Sequence, residues 1–472
     1  MSWSERKLHF IAIGGAGMSG LALVCHRLGA EVSGSDRAES SYMERLRGAG
    51  LEPRLGHDAA QVPADAEVIV STAIAEDNPE LAIARERGQR VLHRGELLAE
   101  LCAERRLLAV AGTHGKTTTT AMCVHALRAS GADPSFFLGG ELPGAGPGGE
   151  PANAGWGEGE WVVAEADESD ASFLELRPEV AVVTNLELDH HSRWGSLAQL
   201  AEAFGRFSAS VPDLVRGADV ALPVAASHER EIRFALEPEP GDAGRAPEAD
   251  LLATGIEPEP GGGSRFRALG PGIDTEVTLS VPGRHNVANA LAALGAVAGT
   301  AVGADSATVA TALGGFPGVA RRLERKGVHN GAVIYDDYAH HPTEVRAALE
   351  AARELGPRRL IAAFQPHLYS RTKALASELG GALAAADEIA VLDVYPAREE
   401  PVGPLEGVSG LMVAEAAAER AGGRPVWWLP DAAAAATALG PRLGDGDLLV
   451  TIGAGDIFKL AEALADGDRE RS

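Results

Sequence analysis

The chain lacks the features that define several large classes of protein. Its 472 residues include only 3 cysteines, whose spacing fits neither a disulfide framework nor a zinc site. Basic residues are also scarce, 42 against 67 acidic ones, which leaves a formal net charge of −25. Such an excess of acid disfavours nucleic acid and anionic membranes as partners. Any polyanionic ligand must therefore be bound by local cationic side chains, helix N-termini or a metal ion.

Long apolar segments are missing as well. The N-terminus, MSWSERKLHF, has no apolar core of the kind found in signal peptides. The alanine-rich run 287–304 is interrupted by Asn289 and three glycines, so it predicts an interior helix and not a membrane span. We therefore expect a cytoplasmic protein that acts on small molecules, as a monomer or a weak homodimer.

The alternation of apolar runs predicts an α/β protein of three domains, with boundaries at 1–104, 105–318 and 319–472. We expect Rossmann-like N-terminal and C-terminal domains and a central α/β domain of the P-loop ATPase type. Two Gly- and Pro-rich stretches, 139–159 and 237–264, are predicted to be loops or local insertions because their composition cannot build a core. The predicted strands are 8–13, 31–36, 68–71, 107–111, 161–165, 180–185, 332–335, 360–364, 388–394 and 448–452.

The stretch GTHGKTTTT, residues 112–120, lies between a predicted strand and a predicted helix. It departs from the P-loop pattern GxxxxGK[ST], because Val110 occupies the position of the first glycine. The chemistry of a phosphate loop is nevertheless present. Lys116 is suited to the β- and γ-phosphates of ATP, Thr117 to Mg²⁺, and Thr118 to another phosphate. The structural alternative is a glycine-rich turn with an exposed lysine.

Two acidic segments follow later strands of the same block. EADESDASF begins at Glu165, and TNLELDHH places Asp189 and His190 after another strand. Because ligands gather at the carboxyl ends of strands in open α/β sheets, Glu165 and His190 are candidate metal ligands. A solvated acidic loop is the alternative for the first segment.

The N-terminal segment IGGAGMSG contains a GxGxxG pattern, Gly15–Gly20, after a strand, and Asp36 ends the next strand. Taken alone, this arrangement predicts a NAD-dependent dehydrogenase. A glycine turn at a helix N-terminus also accepts the diphosphate of a nucleotide sugar. The dehydrogenase hypothesis leaves Lys116 and the later motifs unexplained. A nucleotide-binding protein without catalysis is a second alternative, and the carboxylate, histidine and arginine sets of the two later blocks argue against it.

Polar residues also follow strands in the last third of the chain. In GRHNVANA, Asn286 and Asn289 are three residues apart and so share a helix face, although helix capping explains one of them. QPHLYSRT carries His367 and Arg371, which are suited to a carboxylate substrate. ARRLE and YDDYAHHPTE add further polar groups at strand ends.

Taken together and in this order, these motifs resemble those of the Mur ligases, over residues 10–455. The resemblance implies that ATP and Mg²⁺ support the ligation of L-alanine to UDP-N-acetylmuramate through an acyl phosphate, in peptidoglycan precursor synthesis. A sister ligase that adds a whole peptide to the same nucleotide sugar is the alternative. The third domain is expected to close on the second.

The resemblance also implies a role for individual residues of this sequence. UDP-sugar binding falls to Gly15, Ala16, Gly17, Met18, Ser19, Asp36, Ser71 and Thr72. ATP binding falls to Gly112, Thr113, His114, Gly115, Lys116, Thr117, Thr118, Asn286, Asn289, Arg322, Asp337 and Tyr338. Amino-acid binding falls to His340, His367 and Arg371, and metal binding to Thr117, Glu165 and His190. The catalytic set is Lys116, Glu165, His190, Arg322 and Asp337.

The chain departs from the family pattern at two points. Many relatives carry two arginines in the QPH motif, whereas Leu368 occupies the first of these positions here. Several sister ligases use a carbamylated lysine near the metal, but this chain has no lysine between Lys116 and Lys326, and Ala201 occupies the comparable position. Because Leu368 replaces the first arginine of the QPH motif, carboxylate recognition is expected to depend on Arg371 alone.

Overall fold

The structure is a computed structural model, and it describes residues 2–146, 148–189, 193–223, 226–239, 248–397 and 399–469. The chain forms two compact units. The first runs to Gly255 and also includes Arg267–Val277 and Ala288–Phe316. The second contains Ile256–Phe266, Thr278–Val287 and the chain from Pro317 onward.

The first sheet of the first unit has five parallel strands in the order β3-β2-β1-β4-β5. Its central strand is an apolar run in which Leu8, Phe10 and Ile11 are fully buried, as expected of a strand covered on both faces. Its elements are β1 (Lys7–Ile11), α1 (Ala16–Arg27), β2 (Glu31–Asp36), α2 (Ser41–Gly48), β3 (Arg54–Leu55), β4 (Glu67–Val70), α3 (Pro79–Glu86), β5 (Val91–His93) and α4 (Arg94–Cys102).

The second sheet has ten strands in the order β15-β14-β13-β12-β11-β10-β6-β9-β7-β8. Strand β6 lies between β10 and β9 and is parallel to both, so the loop that follows it opens in the interior of the sheet. The elements are β6 (Arg106–Ala111), α5 (Lys116–Ala129), β7 (Ser135–Leu142), β8 (Ala152–Gly155), β9 (Trp161–Glu165), β10 (Val180–Val183), α6 (Leu197–Ser208), β11 (Asp213–Gly217), β12 (Arg230–Leu236), β13 (Leu251–Pro258), β14 (Ser264–Gly270), β15 (Ile273–Leu279), α7 (Arg284–Ala298) and α8 (Ser306–Gly314).

The third sheet lies in the second unit and has six strands in the order β16-β17-β21-β18-β19-β20. Only β16 runs antiparallel to its neighbour among the pairs described. The elements are β16 (Glu324–His329), β17 (Ala332–Asp337), α9 (Pro342–Glu354), β18 (Arg359–Phe364), α10 (Tyr369–Leu383), β19 (Glu388–Leu392), α11 (Leu411–Arg420), β20 (Val426–Leu429), α12 (Ala432–Leu439), β21 (Asp447–Ile452) and α13 (Phe458–Arg469).

Within the first unit, helix α1 packs directly against strand β8 of the second sheet. A Cβ on Gly20 would lie only 2.9 Å from the Cβ of Ala154, so the close approach depends on the missing side chain. The amide nitrogen Nδ2 of Asn153 donates to the carbonyl oxygen of Ala16 at 2.5 Å. The N-terminus of α1 is thereby fixed relative to the second sheet.

The predicted α/β class with doubly wound parallel sheets is confirmed, and the alanine-rich run forms α7 as far as Ala298. Two predicted loops are wrong, because 139–159 contains the end of β7 and all of β8, while 237–264 contains β13. The sequence signal for both strands was weak, because β8 is a short edge strand and only Leu251 and Ala253 are buried in β13. No helix in the described part of the chain has the length and hydrophobicity for a membrane crossing.

We predict that Phe204→Ala lowers the free energy of unfolding by about 3–5 kcal/mol, because truncation of a buried phenylalanine leaves a cavity. Phe204 on α6 is fully buried, and its ring lies 5.1 Å from that of Phe173. Denaturant unfolding followed by tryptophan fluorescence measures the loss. Leu197→Ala on the same helix is the control, since Leu197 is 47% exposed and should change stability by under about 0.5 kcal/mol. Equal losses in the two variants would contradict the assignment of this core.

Candidate active site

Two glycines shape the loop between β6 and α5. Gly112 has φ 130° and Gly115 has φ 78°, both in the region that side chains disfavour. A Cβ on Gly112 would collide with the hydroxyl of Thr184, and a Cβ on Gly115 would collide with the amide oxygen of Asn289. The loop therefore needs glycine at both positions for its backbone and for its packing.

Lys116 is the first residue of α5, and its ammonium group is held close to the loop. The Nζ atom donates to the carbonyl oxygens of Gly112 at 2.7 Å and Thr113 at 3.0 Å. It also lies 2.8 Å from a carboxylate oxygen of Glu168, whose side chain is 1% exposed. Burial lowers the pKa of Lys116, but Glu168, Asp167 and Glu165 more than offset it, so the pKa is raised and the group stays protonated.

The four threonines after Lys116 have different environments. Thr117 donates through Oγ1 to Oε1 of Glu165 at 3.0 Å. Thr119 is fully buried and donates to Oδ1 of Asn289 at 3.3 Å, while Thr120 donates to the carbonyl oxygen of Lys116 at 2.8 Å. Thr117 is thus directed at a carboxylate, whereas Thr119 and Thr120 stabilise the helix and its packing.

The residues at the end of β9 fit a magnesium ion. Glu165 accepts from Thr117 through Oε1 and from the backbone N–H of Gly139 through Oε2, at 3.0 and 2.7 Å. A hydroxyl and a carboxylate side by side at a helix N-terminus are the hard oxygen ligands that Mg²⁺ prefers. The third predicted ligand, His190, lies outside the described residues.

The glycine turn before α1 keeps its expected position at the carboxyl end of β1. Asp36 does not extend freely from β2, because its Oδ2 accepts from Gly14 N–H at 2.9 Å and its Oδ1 from Ala38 N–H at 3.3 Å. Asp36 therefore orders the turn. The other predicted nucleotide-sugar residues divide into exposed Gly15, Gly17 and Thr72, half-buried Ala16 and Ser71, and buried Met18 and Ser19.

One cavity of about 260 Å³ joins the glycine turn to the carboxylates of the second sheet. Ala16 and Gly17 of the turn line it together with Glu165 and Asp167. The predicted nucleotide-sugar residues and a predicted metal ligand therefore share one cavity. The apolar part of its wall is formed by Leu21, Leu98, Phe137, Leu138, Phe173 and Leu176.

Sequence reasoning gave no individual role to three polar residues of this region. Arg94 lines the cavity, Glu168 contacts Lys116, and Asn185 holds the loop by accepting from His114 N–H and donating to its carbonyl oxygen, both at 2.9 Å. Asn185 lies close after β10, so the strand-end rule that identified Glu165 would have found it, whereas Arg94 follows β5, a strand that the apolar runs did not predict.

In the second unit, Asp337 ends β17 and is buried. Its oxygens accept from the backbone N–H groups of Leu323 and Ala339, both at 2.7 Å. Burial raises its pKa to about 6, although Arg322 acts in the opposite direction. The guanidinium carbon Cζ of Arg322 lies 5.4 Å from the ring centroid of Tyr338. The predicted residues Arg322, Asp337 and Tyr338 are therefore neighbours.

The predicted amino-acid residues also lie close to each other. The ring centroids of His340 and His367 are 6.1 Å apart, and Tyr395 stacks on His367 at 5.8 Å. Arg371 is 7% exposed, and its Nη1 lies 3.3 Å from Nδ1 of His367. Leu368 between them has φ 70°, which turns the chain sharply before α10.

The two asparagines of α7 have different surroundings. Asn289 belongs to the first unit and packs on the phosphate-type loop through Gly115 and Thr119. Asn286 belongs to the second unit, and its Nδ2 donates to the carbonyl oxygen of Pro282 at 2.7 Å. The structure therefore associates Asn289 with the loop of Lys116 in the first unit.

Three family models match successive parts of the chain. They are described as "Mur ligase family, catalytic domain" over residues 7–106, "Mur ligase middle domain" over residues 110–297 and "Mur ligase, glutamate ligase domain" over residues 321–455. A protein of Streptomyces coelicolor named UDP-N-acetylmuramate--L-alanine ligase is 45% identical over 97% of this chain and 96% of its own length. One of the same name from Rubrobacter xylanophilus is 45% identical over 97% of this chain and 99% of its own length.

Solved structures are similar to this chain over nearly its whole length. A crystal structure of UDP-N-acetylmuramate-alanine ligase from Thermotoga maritima has a TM-score of 0.82 and 28% identity, over 99% of this chain and 100% of that one. A murein peptide ligase from Psychrobacter arcticus has a TM-score of 0.70 and 24% identity, over 97% of this chain and 98% of its own. At 24% identity, the similarity to the murein peptide ligase shows the fold alone.

We predict that Gly112→Ala weakens ATP binding at least tenfold, because the new methyl group collides with Thr184 and distorts the loop that holds Lys116. Isothermal titration calorimetry with a non-hydrolysable ATP analogue measures the effect. Gly131→Ala is the matched control: Gly131 also has a positive φ, 82°, but a Cβ there meets nothing within 4 Å. Similar nucleotide affinity in both variants and in the unmodified protein would show that the close packing of Gly112 is not needed.

Proposed function

The chain belongs to the Mur ligase family, and from this premise we propose that it ligates L-alanine to UDP-N-acetylmuramate at the expense of ATP. The observation that carries the proposal is the cavity where the glycine turn of α1 meets Glu165 and Asp167, close to Lys116. A site for a nucleotide sugar is thus continuous with a site for a metal-bound triphosphate. The names of relatives 45% identical over 97% of the chain favour L-alanine over a whole peptide.

The proposed reaction has two steps. A carboxylate oxygen of the sugar's lactyl group attacks the γ-phosphorus of ATP, the bond to ADP breaks, and an acyl phosphate forms. The neutral amine of L-alanine then attacks the acyl carbon, and phosphate leaves from the tetrahedral intermediate. Lys116 stabilises the charge on the transferring phosphoryl oxygens through its fixed ammonium group. Because acyl phosphates hydrolyse readily, water must be excluded from the site.

Magnesium fits the first unit. We assign Thr117 and Glu165 as its ligands, on their adjacent oxygens, and add His190 from the family resemblance. The bound ion would supply charge neutralisation at the phosphate oxygens. The other ATP contacts that we propose are Gly112, Thr113, His114, Gly115, Thr118, Asn286, Asn289, Arg322, Asp337 and Tyr338.

The two organic substrates are assigned to different parts of the chain. The glycine turn, with Asp36, Ser71 and Thr72, binds the UDP-sugar in a domain that we place at residues 1–104. His340, His367 and Arg371 bind the amino acid in a domain at residues 319–472, and the central domain at 105–318 binds ATP. A buried arginine beside two stacked aromatic rings is suited to a small carboxylate. We place the reaction in the cytoplasm.

The proposal predicts which amines support turnover. With UDP-N-acetylmuramate and ATP present, ADP should be released with L-alanine, and more slowly with L-serine or glycine, because the pocket of Arg371 and His367 recognises the shared carboxylate. A coupled ADP assay with each amino acid in turn, and with L-alanyl-γ-D-glutamyl peptides, measures this. Release with a tripeptide but with no single amino acid would transfer the function to the peptide-adding alternative.

Replacing Lys116 tests the phosphoryl-transfer step. We predict that Lys116→Ala lowers kcat by about 10³-fold or more, equivalent to ~4 kcal/mol, since a positioned cation on the developing charge is lost. Single-turnover formation of ADP measures this step, because phosphate is released only after the amine attacks. Lys7→Ala removes the same charge at a site 41% exposed and paired with Asp65, so it should keep full activity. Near-normal formation of ADP by Lys116→Ala would contradict the role of the lysine.

A further inference from the structure

Arg94 has a fixed position at the start of α4. The helix begins with a reciprocal capping pair, in which Glu96 accepts from His93 N–H at 2.6 Å and Nδ1 of His93 accepts from Gly95 N–H at 3.2 Å. A Cβ on Gly95 would collide with Ser172, so the helix start lies directly against the segment after β9. The guanidinium of Arg94 therefore starts from a rigid backbone between the two sheets of the first unit.

Two carboxylates hold one side of this guanidinium. Its Nη2 lies 3.1 Å from Oδ2 of Asp167 and 2.9 Å from Oδ2 of Asp170, and its Nε lies 3.3 Å from the same oxygen of Asp170. Burial raises the pKa of Asp170, but Arg94 and the hydrogen bonds from Ser172 together more than offset it, and the pKa is lowered. For Asp167, Lys116 and Arg94 likewise overcome burial and lower the pKa to about 2. Both partners are ionised and anchor the cation.

The other side of the guanidinium faces the glycine turn. A Cβ on Gly17 would lie 3.0 Å from Nη1 of Arg94. Within the described residues, Nη1 makes no hydrogen bond. Gly17 is in the first turn of α1, where backbone N–H groups lack partners within the helix and attract anions. An anion at this helix start would therefore also contact Nη1.

The charges of the cavity wall strengthen this argument. Among the described residues that line the cavity of about 260 Å³, Arg94 is the one cation, while Glu165 and Asp167 are anions. Two carboxylates would repel a phosphate in a site of low dielectric constant. A fixed guanidinium offsets that repulsion, and its planar fork matches two phosphate oxygens.

We propose that Arg94 binds the diphosphate of the nucleotide sugar, together with the N-terminus of α1. This inference rests on the proposed function for the identity of the ligand. It assigns a substrate-binding role to a residue whose contacts with Asp167 and Asp170 would otherwise be read as a structural link between the two sheets.

The test compares the binding of two ligands to the full chain by calorimetry without ATP. UDP-N-acetylmuramate carries both a diphosphate and a lactyl carboxylate, whereas UDP-N-acetylglucosamine carries only the diphosphate. Arg94→Gln should weaken both ligands by the same factor, about 10- to 100-fold, the usual effect of losing a charged hydrogen bond. Arg94→Lys keeps the positive charge but loses the planar guanidinium. Its affinity for both ligands should therefore lie between that of Arg94→Gln and that of the unmodified protein.

Two control variants separate binding from structure. Arg90→Gln removes an arginine four residues away that pairs with Glu67 and Glu100 and is 53% exposed, so both affinities should stay unchanged. Arg45→Gln removes another arginine that links the two sheets of the first unit, through two hydrogen bonds to Glu141, but Arg45 does not line the cavity, so affinity should change less than about threefold. If Arg45→Gln weakens binding as much as Arg94→Gln does, the role of Arg94 is structural and the proposal is overturned.

The remaining outcomes also decide the question. Unchanged binding of both ligands by Arg94→Gln overturns the proposal. Weaker binding of UDP-N-acetylmuramate alone assigns Arg94 to the lactyl carboxylate and overturns the diphosphate contact. Failure of the proposed function would look different, because the unmodified protein would then release no ADP with UDP-N-acetylmuramate and L-alanine, whatever Arg94 binds.

Discussion

The nearly buried ammonium of Lys116, whose side chain is 12% exposed, is the feature on which the first unit depends. Two carbonyl oxygens of its own loop and the carboxylate of Glu168 hold it within 3.0 Å, and two glycines with positive φ make that loop conformation accessible. A charge so deeply placed requires compensation by anions. A bound triphosphate would offer the same compensation, so the carboxylates define in the free protein where phosphate oxygens belong.

The sequence predicted the architecture where apolar runs are continuous and missed it where they are not. Val180–Val183 is buried at every position, and a run of that kind is recognisable because both faces of a parallel strand are covered. Strand β8, with the sequence ANAG, lies at the edge of its sheet and contains no large apolar side chain. Its place is decided by packing against α1 at Gly20, a contact over more than a hundred residues that local composition does not encode.

The candidate site likewise contains residues that the sequence predicts and a residue that it does not. Lys116, Thr117 and Glu165 could be predicted because each follows a strand and belongs to a residue type with an evident role, and the structure brings Thr117 and Glu165 to 3.0 Å. Arg94 was missed because its significance arises from tertiary neighbours. Its carboxylate partner Asp170 is 76 positions away in sequence, and its approach to Gly17 depends on how two separate sheets pack.

A chain with a large excess of acidic residues can bind a polyanion only where its few cations are held in position. The protein has a net charge of −25 and places acidic side chains beside both Lys116 and Arg94, and Asp167 acts on both. These pairs fix the cations before any ligand arrives, which removes the entropy cost of ordering long side chains during binding. On the proposed function, they leave too little positive charge at the site for a triphosphate and a diphosphate together. The adjacent oxygens of Thr117 and Glu165 would then hold a divalent cation, which would supply the missing charge.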